Sequence, residues 1–164
     1  TIGINVFPVF FPTVKHWFFF DDSMLNCIEN YYKGQILHFR YDLREKISNL
    51  GIKNCNTEIY YPASKIFPKE KYDYLYFCKY TLTIAIDWCI KNGYENVYLA
   101  GIDMNGEDWT HFYDPCCLHR CEINGLKIAV RAIQELSRHI NIYQTNNNAN
   151  QLLNLPVASI ENMI

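Results

Sequence analysis

Apolar positions fall into two periods along the chain. Short runs rich in β-branched and aromatic residues alternate with stretches of helical spacing. "TIGINVF" at 1–7, "VKHWFFF" at 14–20, "QILHFR" at 35–40 and "TEIYY" at 57–61 are predicted strands. "SMLNCIENYY" at 23–32 is a predicted helix with Asp22 or Ser23 placed to cap it, and "DLREKISNLG" at 42–51 is a short one closed by Gly51. Residues 62–75 are mixed and predict a loop or excursion. "TLTIAIDWCIKNG" at 81–93 predicts a helix stopped by Gly93, and "NVYLAG" at 96–101 a near-continuous apolar strand. Such a strand suits the centre of a parallel sheet covered on both faces. Ile123, Leu126, Val130 and Ile133 recur at helical spacing, giving an amphipathic helix to about residue 138. "INIYQT" at 140–145 is a last strand and "ASIENMI" at 158–164 a short terminal helix.

This β-α alternation predicts an α/β fold, a mostly parallel sheet with helices on both faces. No internal repeat and no long linker divides the chain, so 1–164 is expected to form one domain. Ligands of open α/β sheets bind beyond the carboxyl ends of the strands. Asp21, Asp22 and the segment 103–114 follow predicted strands, and Asn5 lies beside the first one. That segment gathers Asp103, Asn105, Glu107, Asp108, His111, Tyr113 and Asp114.

Composition narrows the function classes. A net charge of −2 argues against a protein built to neutralise nucleic-acid backbones. No apolar run reaches the roughly 18 residues of a membrane span. The seven cysteines, at 27, 55, 78, 89, 116, 117 and 121, are odd in number and predict free thiols in a reducing compartment.

The candidate chemistry has plain structural counterparts. The dinucleotide fingerprint and the P-loop are both absent. Gly101 allows close backbone approach and Asp103 can orient a sugar hydroxyl, or the pair forms a tight turn with a capping carboxylate. His111 suits proton transfer near neutrality. Flanked by Trp109, Phe112 and Tyr113, it suits a packed position equally. "HFYDPCCLHRC" at 111–121 holds His and Cys without a C-x2-C pair, so no metal site is expected. Asp21 and Asp22 fit a divalent-ion site or a helix start. Thr81 and Thr83 open a helix, either as caps or as hydroxyls at a phosphate-binding N-terminus.

Taken together, "TIGIN", "HWFFFD", the helix from Thr81 and "NGYENVYLAGID" with its His- and Tyr-bearing loop resemble the bacterial sialyltransferases of the Campylobacter type. The tail from 140 resembles the close of that fold and of the Maf-like and DUF115 (MptE-like) proteins. The resemblance implies a Rossmann-like three-layer sandwich that transfers a sugar from a cytidine monophosphate donor without metal or cofactor. It implies that Asn5 contacts the nucleotide and that Thr81, or Thr83, supplies the nucleotide-binding hydroxyl. Asn105 and His111 fall where the family carries phosphate-binding tyrosines, and His119 falls nearest its general base. Both tyrosines are therefore replaced. The family's Gly-containing loop and first strand would precede Thr1. The expected partners are a nucleotide-sugar donor and a glycan acceptor in surface-glycan synthesis, not nucleic acid; a homo-oligomer is compatible. The expected location is cytoplasmic, compatible with peripheral attachment at an inner membrane. The alternatives are an MptE-like diphosphate or phosphoryl transferase and a non-catalytic nucleotide-binding module. Asn5, Thr81 and Asp103 are expected to meet at one carboxyl edge.

Overall fold

The computed structural model describes residues 1–5, 7–52, 57–60, 80–101, 109–111, 114–119, 123–145 and 153–159, with backbone alone at 57–60, 109–111, 114–119 and 123–126. The described part is an α/β protein with parallel sheets. By contacts the chain forms two compact units, Thr1–Ala85 and Ile86–Ile164.

The first unit is built on four parallel strands in the order β1 (Ile2–Ile4), β2 (His16–Phe19), β3 (Ile36–Arg40) and β4 (Thr57–Tyr60). Ile2 lies opposite His16, His16 opposite Ile36, and Leu37 opposite Thr57. Helices α1 (Phe7–Phe10), α2 (Leu25–Tyr31) and α3 (Arg44–Asn49) fall between the strands. Every residue of β2 is buried, as expected of a parallel strand covered on both faces. Trp17 and Phe19 point to one face, where Ile28 of α2, Leu37 and Phe39 of β3, Leu43, and Ile47 of α3 complete the core cluster. His16 and Phe18 point to the other. There the His38 ring stacks on Phe18 at 3.9 Å between centroids. His16 Nδ1 and His38 Nε2 lie 3.0 Å apart. Two imidazoles can be buried here because one nitrogen of the facing pair donates while the other accepts.

The second unit pairs β5 (Asn96–Leu99) with β8 (Asn141–Gln144) in parallel. A hairpin joins β6 (Trp109–His111) to β7 (Asp114–His119). Helix α5 runs Ile123–Leu136. Helix α4, Thr81–Lys91, begins within the first unit and ends just before Gly93, whose φ is +75°. Gly51 closes α3 in the same left-handed way, at +69°.

Five expectations need correction. The first strand does not reach Phe7: it stops at Ile4, Asn5 turns left-handed, and Phe7–Phe10 is helical. Asp22 and Ser23 do not cap α2, which is preceded by a 3-10 turn at Asp22–Met24; Asp22 is taken by ion pairs. "NVYLAG" is not buried throughout, since Leu99 is buried while Tyr98 is 38 % exposed and stacks on Tyr143. A tyrosine tolerates that position because its hydroxyl meets water while its ring packs. The supposed loop at 103–114 contains β6 and the start of β7; residues 102–108, with Asp103 and Asn105, lie outside the described residues. The loop expected at 62–75 and residues 160–164 of the expected terminal helix lie outside them as well, whereas Ala158 and Ser159 are not helical.

Gly3 shows how tightly α1 closes on β1. A Cβ there would lie 2.6 Å from Cγ of Pro8 and 3.1 Å from Cγ2 of Val14. The Pro8 ring is fixed to the backbone and cannot swing away. Gly3→Ala is therefore expected to cost about 1–3 kcal/mol as an overpacked contact. Urea denaturation checks this, and an unchanged midpoint would show that α1 shifts freely.

Candidate functional site

Strand β1 delivers Asn5 to the carboxyl edge of the four-stranded sheet, and three bonds hold it there. Its backbone N–H donates to Phe18 O at 2.9 Å. Its carbonyl accepts the Trp17 indole N–H at 2.7 Å. Its side-chain Oδ1 accepts from the Thr81 hydroxyl at 3.3 Å, across 76 positions of sequence. The residue sits at φ +50°, a left-handed conformation in which Asn is among the least strained side-chain-bearing residues. Trp17 thus locks the peptide while Thr81 fixes the amide. With Oδ1 engaged, the Asn5 NH2 group has no bonded partner among the described residues and remains available as a double donor.

Thr81 is the first residue of α4 and is 8 % exposed. In the first turn of α4 the Thr83 N–H donates to Tyr80 O at 3.1 Å, which leaves the Thr81 and Leu82 N–H groups facing out of the helix start, where the helix dipole favours negative charge. Thr83 is fully buried, and its hydroxyl donates to Tyr80 O at 2.8 Å. That closes the helix start and leaves Thr81 as the hydroxyl beside Asn5.

The ends of β2 and β3 carry charge. Asp21 is exposed and makes no side-chain cap bond. Asp22 pairs with Lys46 and lies 3.8 Å from Arg40. Arg40 also donates to Asp42, with Nη2 at 2.7 Å. That bond holds the Asp42 carboxyl below its ordinary value and the guanidinium above its own. The stabilisation is present above the ordinary carboxylate range and lost as pH falls through the lowered value. It is small, because Asp42 is 58 % exposed. The pairing bears on chemistry too: Asp22 already has cationic partners in Lys46 and Arg40. Among the described residues no group of three or more His, Cys, Asp or Glu is placed to hold a metal.

The other sequence candidates are placed only in part. Gly101 is left-handed at φ +70°, with no described residue within 4 Å of where a side chain would stand. His111 lies opposite Asp114, and His119 opposite Trp109, in the backbone register of the hairpin; their side chains lie outside the described residues. Asp103 lies outside them too, so only Asn5 and Thr81 of the expected trio are seen to meet. Cys27 and Cys89 are free thiols, and burial pushes Cys89 up to about 11. That makes it an inert packed group. Among the described residues no helix is long and apolar enough to cross a membrane. Trp17, which anchors the Asn5 peptide, was missed because "HWFFF" reads as core throughout and nothing in it signals a donor.

No protein-family model, curated protein or solved structure matches the chain.

Proposed function

We propose that the protein is a glycosyltransferase-like enzyme that binds a nucleotide-activated sugar through Asn5 and Thr81, on a Rossmann-like three-layer fold. The Asn5–Thr81 hydrogen bond carries this reading. It joins the end of the first strand to the start of a helix, the two kinds of backbone position at which α/β proteins hold phosphorylated ligands. An Asn fixed through its carbonyl oxygen offers its amide hydrogens to a ribose or phosphate oxygen. The N–H groups of Thr81 and Leu82 at the start of α4 supply donors, and the helix a favourable dipole. The sequence resemblance to Campylobacter-type sialyltransferases supports the same assignment and adds a cytidine monophosphate donor.

In this mechanism the acceptor hydroxyl oxygen attacks the anomeric carbon. The bond from that carbon to the phosphate oxygen breaks, and the nucleotide leaves with the electron pair. The hydroxyl proton passes to a general base, His111 or His119. The helix and amide donors meet the charge that develops on the departing phosphate, where such donors count most.

A thermal-shift panel of nucleoside monophosphates, with and without magnesium, tests the reading. Cytidine monophosphate is expected to raise the melting temperature without magnesium. A ligand at 100 times its Kd stabilises by about 2.7 kcal/mol, which is readily seen. No shift with any nucleotide would refute the reading, and a shift that requires magnesium would move it to the phosphoryl-transferase alternative.

A further inference from the structure

Gln144 ends β8 with its backbone fully engaged and its side chain stranded. Its N–H donates to Pro156 O at 3.0 Å and its carbonyl accepts from Ala158 N–H at 2.9 Å. On the other side Leu99 of β5 is its register partner. Thr145, the next residue, donates to Leu99 O from its N–H at 3.0 Å and from its hydroxyl at 3.2 Å. The side chain shares a face of β8 with Ile142 and is 8 % exposed, so it occupies a position where the pattern calls for another apolar residue. Its Oε1 is shielded from solvent and has no hydrogen-bond partner among the described residues. A buried amide acceptor left unpaired is costly, and native structures keep few of them.

The position of the defect is informative. Parallel strands β5 and β8 both end here, and carboxyl ends of parallel strands are where α/β folds place ligands. Gly101, two residues beyond β5, turns left-handed with no described residue within 4 Å of its Cβ position. A carboxamide presents an acceptor and two donors in one plane, and pairs best with a planar partner carrying a donor beside an acceptor. We propose that the carboxyl end of β5 and β8 is a binding subsite in which the Gln144 carboxamide pairs with a planar donor–acceptor edge, that of a nucleobase or of a primary carboxamide. The subsite rests on Gln144 and its surroundings alone, independently of the transferase reading.

Gln144→Met tests it, because Met keeps the length and removes both polar atoms. Without ligand this variant is expected to melt roughly 2–4 °C higher than the wild type, the shift that relief of one orphaned group gives in a chain of this size. Cytidine, uridine, adenosine and guanosine, or nicotinamide, should raise the wild-type melting temperature, ribose should not, and the shift should vanish in Gln144→Met. A response to nucleosides alone identifies a base, and a response to nicotinamide alone a carboxamide; either supports the subsite. The Gln144 side-chain NH2 resonances of the wild type should move with the same probes, which reads the contact without any variant. No response to any probe, a response retained in Gln144→Met, or a variant less stable than the wild type would overturn the proposal.

Discussion

Replacing Trp17 with Ala is expected to destabilise the protein by about 3–5 kcal/mol, the range for deleting a large buried aromatic side chain. Trp17 has no exposed surface and packs within the cluster formed by Phe19, Ile28, Leu37, Phe39, Leu43 and Ile47. Its ring meets Phe19 edge-on at 6.3 Å between centroids. Truncation would open a cavity among residues from β2, β3, α2 and α3 at once, so no single element can collapse to fill it. The indole also has a second role, since its N–H donates to the Asn5 carbonyl at 2.7 Å. Trp17→Phe separates the two roles. It keeps most of the aromatic volume and leaves the Asn5 carbonyl without its donor, which costs roughly 1–3 kcal/mol. Urea denaturation of the three proteins measures both terms. If Trp17→Phe matches the wild type in stability and in nucleotide binding, the indole bond is not what holds Asn5.

The second large effect follows from the proposed transferase activity. Removing the general base is expected to lower turnover of a nucleotide-sugar donor by roughly 10²–10⁴-fold, the range for a lost acid–base group. His111 and His119 are the candidates, on opposite strands of the β6–β7 hairpin. One of His111→Ala and His119→Ala should show the full loss, with the unfolding midpoint barely changed. The pH profile should separate a base from a packing residue, because loss of the base removes the acid-side limb of the rate curve. Should either variant melt several degrees lower while keeping full turnover, that histidine is structural. Should both keep turnover, the base is another group and the carry-over from the sialyltransferase resemblance is wrong.

The sequence made much of the fold legible and little of the site. Runs such as "HWFFF" and "ILHFR" declare strands because apolar residues fall on both faces of each. Gly51 and Gly93 mark helix ends because only a residue free of a Cβ turns left-handed without strain. The short helix at Phe7–Phe10 escaped, since "FPVF" shows less than two turns of period and a Pro that suits a first turn as well as a strand end. The β6–β7 hairpin escaped because its strands are polar and interrupted by Pro115, and its register shifts between Thr110 and His111. Asn5 and Thr81 were individually visible as a strand end and a helix start. Their bond was not, because nothing local in a sequence relates positions 76 apart. Gln144 was hidden for the opposite reason: in "INIYQT" it looks like the polar end of a strand, and only its burial makes it anomalous.

The central claim is that the Asn5–Thr81 pair binds the nucleotide, and calorimetric titration of cytidine monophosphate into matched variants tests it most directly. Asn5→Gly is the right probe, since Gly accepts φ +50° while removing the whole side chain with its amide, whereas Ala would add backbone strain. Thr81→Val removes the hydroxyl at nearly constant volume. Each single change is expected to weaken binding about tenfold, equivalent to roughly 1.4 kcal/mol. The double variant should lose less than the sum, because the two groups hold each other in place. Wild-type affinity in a folded Asn5→Gly protein, or independent additive losses at the two positions, would contradict the account.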